Sequence, residues 1–212
     1  MCSHFHTVID ASVFKSSFGI ALPQCEQHKN VFAGTQSFFI KKRSGSFSVD
    51  GDSPEKDVRL GFFGLSPQYS ETTSGHASYN TPYEAIHKSA IFSQAWNTDK
   101  RCIIPVSAIF EPDLKSGRIN EACISRVDGT PFGIAGIWWS ISLPDGTSVE
   151  CFTMLTVDAQ DYPLLQSVLM PFDAKRMVVI LDRDDYTNWL DGDVSEAAKF
   201  VRLYPATQLQ IT

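Results

Sequence analysis

The stretch RCIIPVSAIF, residues 101–110, decides how this chain folds. Ile103, Ile104, Val106, Ile109 and Phe110 make it dense in β-branched and aromatic side chains, which pack best on a pleated surface. It predicts a strand. Working outward, QSFFIKK (36–42), VRLGFFGL (58–65), PFGIAGIWWSI (131–141), VECFTMLTV (149–157) and RMVVIL (176–181) have the same character. RSGSFSVDGDSPEKD (43–57) is rich in Gly, Ser and Asp and reads as a long loop or hairpin excursion.

Helical signals are fewer. Thr81 and Glu84 have the spacing of a capping box, with Pro82 at the first helical position. They predict a helix from Thr81 that buries Tyr83, Ile86, Ala90 and Trp96. Two more are expected at DRDDYTNWL (182–190) and SEAAKFVRLY (195–204), the second capped by Ser195. Strands outnumber helices and do not alternate regularly with them, so a doubly wound α/β fold is disfavoured. The expected class is α+β: a single domain, 1–212, on a mainly antiparallel, partly barrel-like β-sheet with a few peripheral helices.

Composition narrows the function classes. The chain is 43% hydrophobic and 20% charged, ordinary for a globular protein. No apolar run approaches the ~20 residues of a spanning helix, and the start lacks a basic-then-apolar signal pattern. A soluble cytoplasmic protein without membrane contact is expected. Five scattered cysteines (Cys2, Cys25, Cys102, Cys123, Cys151) without a C-x-x-C pair argue against a disulfide framework and against a metal site. The net charge of −6 does not advertise nucleic-acid binding. The one dense basic patch, IKKR at 40–43, reads as a solvated strand end.

The opening MCSHF carries the most distinctive chemistry. Removal of Met1 would leave Cys2 with a thiol and a primary amine on adjacent carbons. These groups ordinarily titrate near ~8.5 and ~7.7–8.0, so both are accessible nucleophiles at neutral pH. With an aldehyde the amine forms an imine and the thiol then closes a stable five-membered thiazolidine. The ring-opened sugar of an abasic site in DNA is the obvious macromolecular aldehyde. The same cysteine could instead serve acyl transfer, with its own amine as the base.

Seven stretches in order, MCSHF, FFGLSPQYS (62–70), YNTPYE (79–84), RCIIPVSAIFEP (101–112), GIAGIWW (133–139), FTMLTVDA (152–159) and KRMVVIL (175–181), resemble the SRAP family, the SOS response-associated peptidase domain that crosslinks to abasic sites in single-stranded DNA. The resemblance implies that Cys2 is the crosslinking nucleophile and that Asn80 holds the amino terminus and sugar by hydrogen bonds. It implies that Glu111 is the acid/base that opens the sugar ring. Arg176 would contact a DNA phosphate and Tyr69 would stack on a base. No cofactor is implied, the partner is single-stranded DNA with abasic sites, and a monomer is expected. An N-terminal-cysteine hydrolase or self-processing peptidase, and a DNA- or partner-binding module without chemistry, are the alternative activities.

The chain departs from the family pattern in places. The family's histidine shortly before R-M-P-V-I-L has no counterpart in YPLLQSVLMPFDAKRM (162–177), where Leu169 or Pro171 takes its place. His4, His6 and His76 are the only candidates to replace it. Pro82 and His4 stand where the family has arginines, and Pro112 where it has a tryptophan. Fewer phosphate contacts imply weaker DNA binding with a flatter salt dependence.

Overall fold

The computed structural model describes residues 2–26, 28–43, 56–64, 79–114, 120–143, 145–168 and 175–212. Its strands, in chain order, are β1 (His4–Thr7), β2 (Asn30–Phe32), β3 (Gln36–Lys42), β4 (Lys56–Phe63), β5 (Asn80–Pro82), β6 (Arg101–Asp113), β7 (Asn120–Arg126), β8 (Phe132–Ser142), β9 (Ser148–Asp158), β10 (Arg176–Val178), β11 (Ile180–Leu181) and β12 (Leu209–Ile211). β8 pairs with β9, β9 with β4, β4 with β3, β3 with β6, and β6 returns to β8. Five strands thus close into a barrel. Its contacts are antiparallel except β4 with β9, where Phe62 stands beside Cys151 in parallel register. β1 and β2 extend the sheet beyond β6, and β7 and β12 add a further wing.

Strand alternation sorts side chains into two layers. On β6, Cys102, Ile104 and Val106 join Phe39, Phe63, Phe152 and Met154 in one buried cluster. Ile103, between them, belongs to the other, with Ile137 and Leu155. Helices cover that second layer. Helix α1 (Ala11–Phe18) brings Phe14 and Phe18 onto it, each fully buried side chain worth about 1.5–3 kcal/mol. Asp10 caps α1 by accepting from the Ser12 and Val13 amides at 2.8 and 2.9 Å. Gly19 ends it at φ 72, a left-handed conformation open to glycine. Helices α2 (Ala90–Asn97) and α3 (Tyr186–Asp191) add Trp96 and Trp189, and α4 (Val194–Ala197) completes the cover.

The expected α+β, mainly antiparallel, partly closed sheet is the observed architecture, and all six predicted strand runs fall on strands. RMVVIL divides at Val179, so that β10 pairs with β9 and β11 with β8. Three helix details differ. Residues 80–82 form β5 rather than a capped helix start. Thr81 shares a hydrogen bond with Thr153 at 3.1 Å and Glu84 pairs with Arg176, so neither is free to cap. A 3-10 helix spans Tyr83–Lys88, and Ser89 caps α2. Ala90 is exposed, whereas Ile86 and Trp96 are buried as expected. At the C-terminal helix the cap is Asp193, which accepts from the Glu196 amide and the Ser195 hydroxyl. The α-helix stops at Ala197 and a 3-10 turn, Ala198–Phe200, follows. Helix α1 is an addition to the expected elements. Lys41 of the basic patch is buried rather than solvated, 2.7 Å from Glu150 and over the Trp138 ring. The excursion at 43–57 lies almost wholly outside the described residues.

Candidate active site at the amino terminus

β1 lies against β6 with His4 opposite Phe110, so Cys2 arrives beside the end of β6 that carries Glu111. β5 approaches from another direction, lying parallel to β9 with Asn80 level with Met154. Three distant sequence positions therefore converge because β1 pairs with β6 and β5 with β9 in one sheet system.

The contacts are specific. The Asn80 side-chain amide donates to the Cys2 carbonyl oxygen at 2.6 Å. The Cys2 thiol donates to the His4 carbonyl at 3.3 Å. Cys2, Glu111 and Asn80 are 1%, 1% and 4% exposed. Asn80 Oδ1 has no hydrogen-bond partner among the described residues, leaving one buried acceptor beside Cys2.

Burial dominates the electrostatics. It pushes the Cys2 thiol far above its ordinary range, and the nearby Glu111 charge adds to this. It raises Glu111 from 4.5 to about 6, with the positive charge of the chain's amino terminus opposing the rise. A carboxyl titrating there can both give and take a proton near neutral pH. Tyr79 is raised by burial and by the charges of Cys2 and Glu111, so it shares their surroundings. Its ring meets Phe63 edge-on at 5.7 Å. Its adjacency to Asn80 was the one sequence signal for it, and apolar-looking tyrosines carry little else.

Arg176 stands level with Asp158 on β9, and its side chain runs back to Thr156, which is level with Pro82, two residues along β5 from Asn80. Its guanidinium donates to the Thr156 hydroxyl at 3.0 Å and carbonyl at 2.8 Å, and to Glu84 at 2.7 Å. Tyr69, His76, Leu169 and Pro171 lie outside the described residues. His4 does not stand in for the missing histidine. Its ring stacks on Phe110, the neighbour of Glu111 in an alternating strand, and so lies on the opposite face.

A family model for SOS response associated peptidase (SRAP) proteins matches residues 1–212. The chain belongs to the SRAP family. A crystal structure of a protein from Bordetella bronchiseptica superposes with a TM-score of 0.87 and 30% identity, over 100% of this chain and 98% of that one. A second, from Bacteroides thetaiotaomicron, has a TM-score of 0.75 and 19% identity over 99% and 90%. A phage-related protein from Bordetella bronchiseptica has a TM-score of 0.68 and 18% identity over 100% and 93%. The last two are alike in fold alone. Comparison with curated proteins found no match. SRAP membership places the chain among proteins associated with the DNA-damage response and with DNA binding. No helix among the described residues is long and apolar enough to cross a membrane.

Proposed function

We propose that this SRAP protein binds single-stranded DNA and traps abasic sites as a thiazolidine on Cys2. The observation that carries the reading is the convergence of Cys2, Asn80 and Glu111 in one buried site. Removal of Met1 frees the Cys2 α-amine. Protonated Glu111 donates to the ring oxygen as the closed sugar opens to its aldehyde. The amine adds to the carbonyl carbon and water leaves, giving an imine. The Cys2 sulfur then bonds to the imine carbon, its proton passes to the nitrogen, and the ring closes. Glu111, titrating near neutrality, returns and accepts protons along this sequence. Asn80 holds the Cys2 carbonyl, and its free Oδ1 accepts from a hydroxyl of the opened sugar.

No metal or cofactor takes part in this sequence. Arg176 already donates through Nη2 to Glu84, so that carboxylate competes with a phosphate for its charge. Tyr69 keeps the role of a base-stacking residue in this reading. The acidic chain and the arginine positions held by Pro82 and His4 make DNA affinity modest and its salt dependence shallow.

The test is incubation with an oligonucleotide carrying one abasic site, followed by a denaturing gel after heating. Wild-type protein gives a heat-stable adduct and Cys2→Ala gives none. Equal adduct with both proteins, or none with either, overturns the reading.

A further inference from the structure

On the face of β1 and β6 opposite Glu111, three rings form a column. The His4 ring lies between those of Phe32 and Phe110, each centroid 4.2 Å away and each plane tilted by 15°. The strand register builds it, since His4 stands opposite Phe32 on β2 and opposite Phe110 on β6. His6 closes edge-on against Phe110 at 4.6 Å. The nitrogens of His4 are held by Glu121 at 3.1 Å and Asn30 at 3.4 Å, which fixes the ring inside the stack.

The column is asymmetric at its ends. Phe32 is 49% exposed although it is a large apolar side chain. His4 covers one face of its ring, and no second ring stacks on it among the described residues.

We propose that the Phe32 ring is a stacking platform for an unpaired base of single-stranded DNA, on the sheet face opposite Glu111. This rests on the reading that the protein binds single-stranded DNA. A flat aromatic face with its partner already ordered accepts any base, because every base has a π-face. His4 and Phe110 alternate with the residues that face the Cys2 site, so the platform takes a stretch of strand outside that buried pocket. Lys29 is exposed, and its carbonyl accepts from the Thr7 amide at 2.9 Å, which puts a cation for the phosphates beside β1. Its charge is felt at His6. Glu121, the nearest carboxylate in the column, is engaged with His4.

Fluorescence anisotropy with labelled oligothymidylate, lacking any abasic site, tests the platform on the full chain. Phe32→Ala weakens binding roughly fivefold or more, the loss of one base–aromatic stack. Phe32→Trp restores binding, and its added indole emission is quenched as DNA binds. Val127→Ala, an exposed apolar change elsewhere, leaves affinity unaltered. Wild-type affinity in Phe32→Ala, or no quenching in Phe32→Trp, overturns the platform. Phe32-dependent binding without an abasic adduct supports the platform and removes the Cys2 reading. Absence of any single-strand binding removes both.

Discussion

Asn80 reaches across from β5 to donate its amide to the carbonyl of Cys2, 2.6 Å away, and both residues are buried. This bond ties the amino end of the chain to the barrel. Asn80→Ala strands a buried carbonyl, which costs about 1–3 kcal/mol. It also frees the nucleophile from its aligned position, and misplacement of this kind can slow a reaction about 100-fold. Urea unfolding measures the first effect, and the rate of adduct formation at saturating DNA measures the second.

Glu111 makes stability depend on pH. Its folded value of about 6 lies above its ordinary 4.5, so the folded protein holds this proton more tightly than the unfolded chain. The resulting stabilisation is complete below about 4.5 and is lost as pH rises through about 6. It amounts to ~2 kcal/mol at most. Glu111→Gln removes the dependence, so the variant gains on wild type as pH rises across this window. Urea midpoints for both proteins on either side of the window check the sign. The same change slows adduct formation by roughly 100-fold or more, the usual worth of a positioned acid/base.

Arg101, at the start of β6, is buried and tethers the C-terminal helices. Its guanidinium donates to the Trp189 carbonyl at 2.8 Å, to the Gly192 carbonyl, and to Asp99 at 2.9 Å. Arg101→Ala leaves two carbonyls without this donor, at ~1–3 kcal/mol each. A loss of about 2–6 kcal/mol is expected in chemical denaturation. Arg101→Lys recovers only part of it, because one ammonium cannot reproduce the planar fork.

Gly136 on β8 sits where a Cβ would lie 2.6 Å from the Thr153 carbonyl oxygen and 2.9 Å from Ile104. The first neighbour is backbone and cannot turn aside. Gly136→Ala therefore overpacks the barrel wall and costs about 1–3 kcal/mol, read from the thermal midpoint.

The barrel strands were legible because their buried stretches make long apolar and aromatic runs. β1, β2, β5, β7 and β12 were not, being short or polar, as HFHT and NTP show. Helix α1 had a sequence signal in Asp10, Gly19 and the Phe14–Phe18 spacing, but eight residues with three serines make a faint periodic pattern. The supposed cap at Thr81 failed because tertiary partners, Thr153 and Arg176, claimed Thr81 and Glu84. Cys2 stood out locally by its place behind Met1, whereas its convergence with Asn80 and Glu111 was suggested only by motif order, since no local pattern joins residues 78 and 31 positions apart. Tyr79 and the ring column on His4 depend on strand pairing that no single stretch encodes.

The most direct measurement is peptide mass spectrometry on protein incubated with an abasic oligonucleotide and then digested. The expected amino-terminal peptide begins at Cys2, carries the sugar with the loss of one water, and resists thiol alkylation because sulfur and nitrogen are both in the ring. A peptide that still begins with Met1, or an adduct located on any other side chain, contradicts the account.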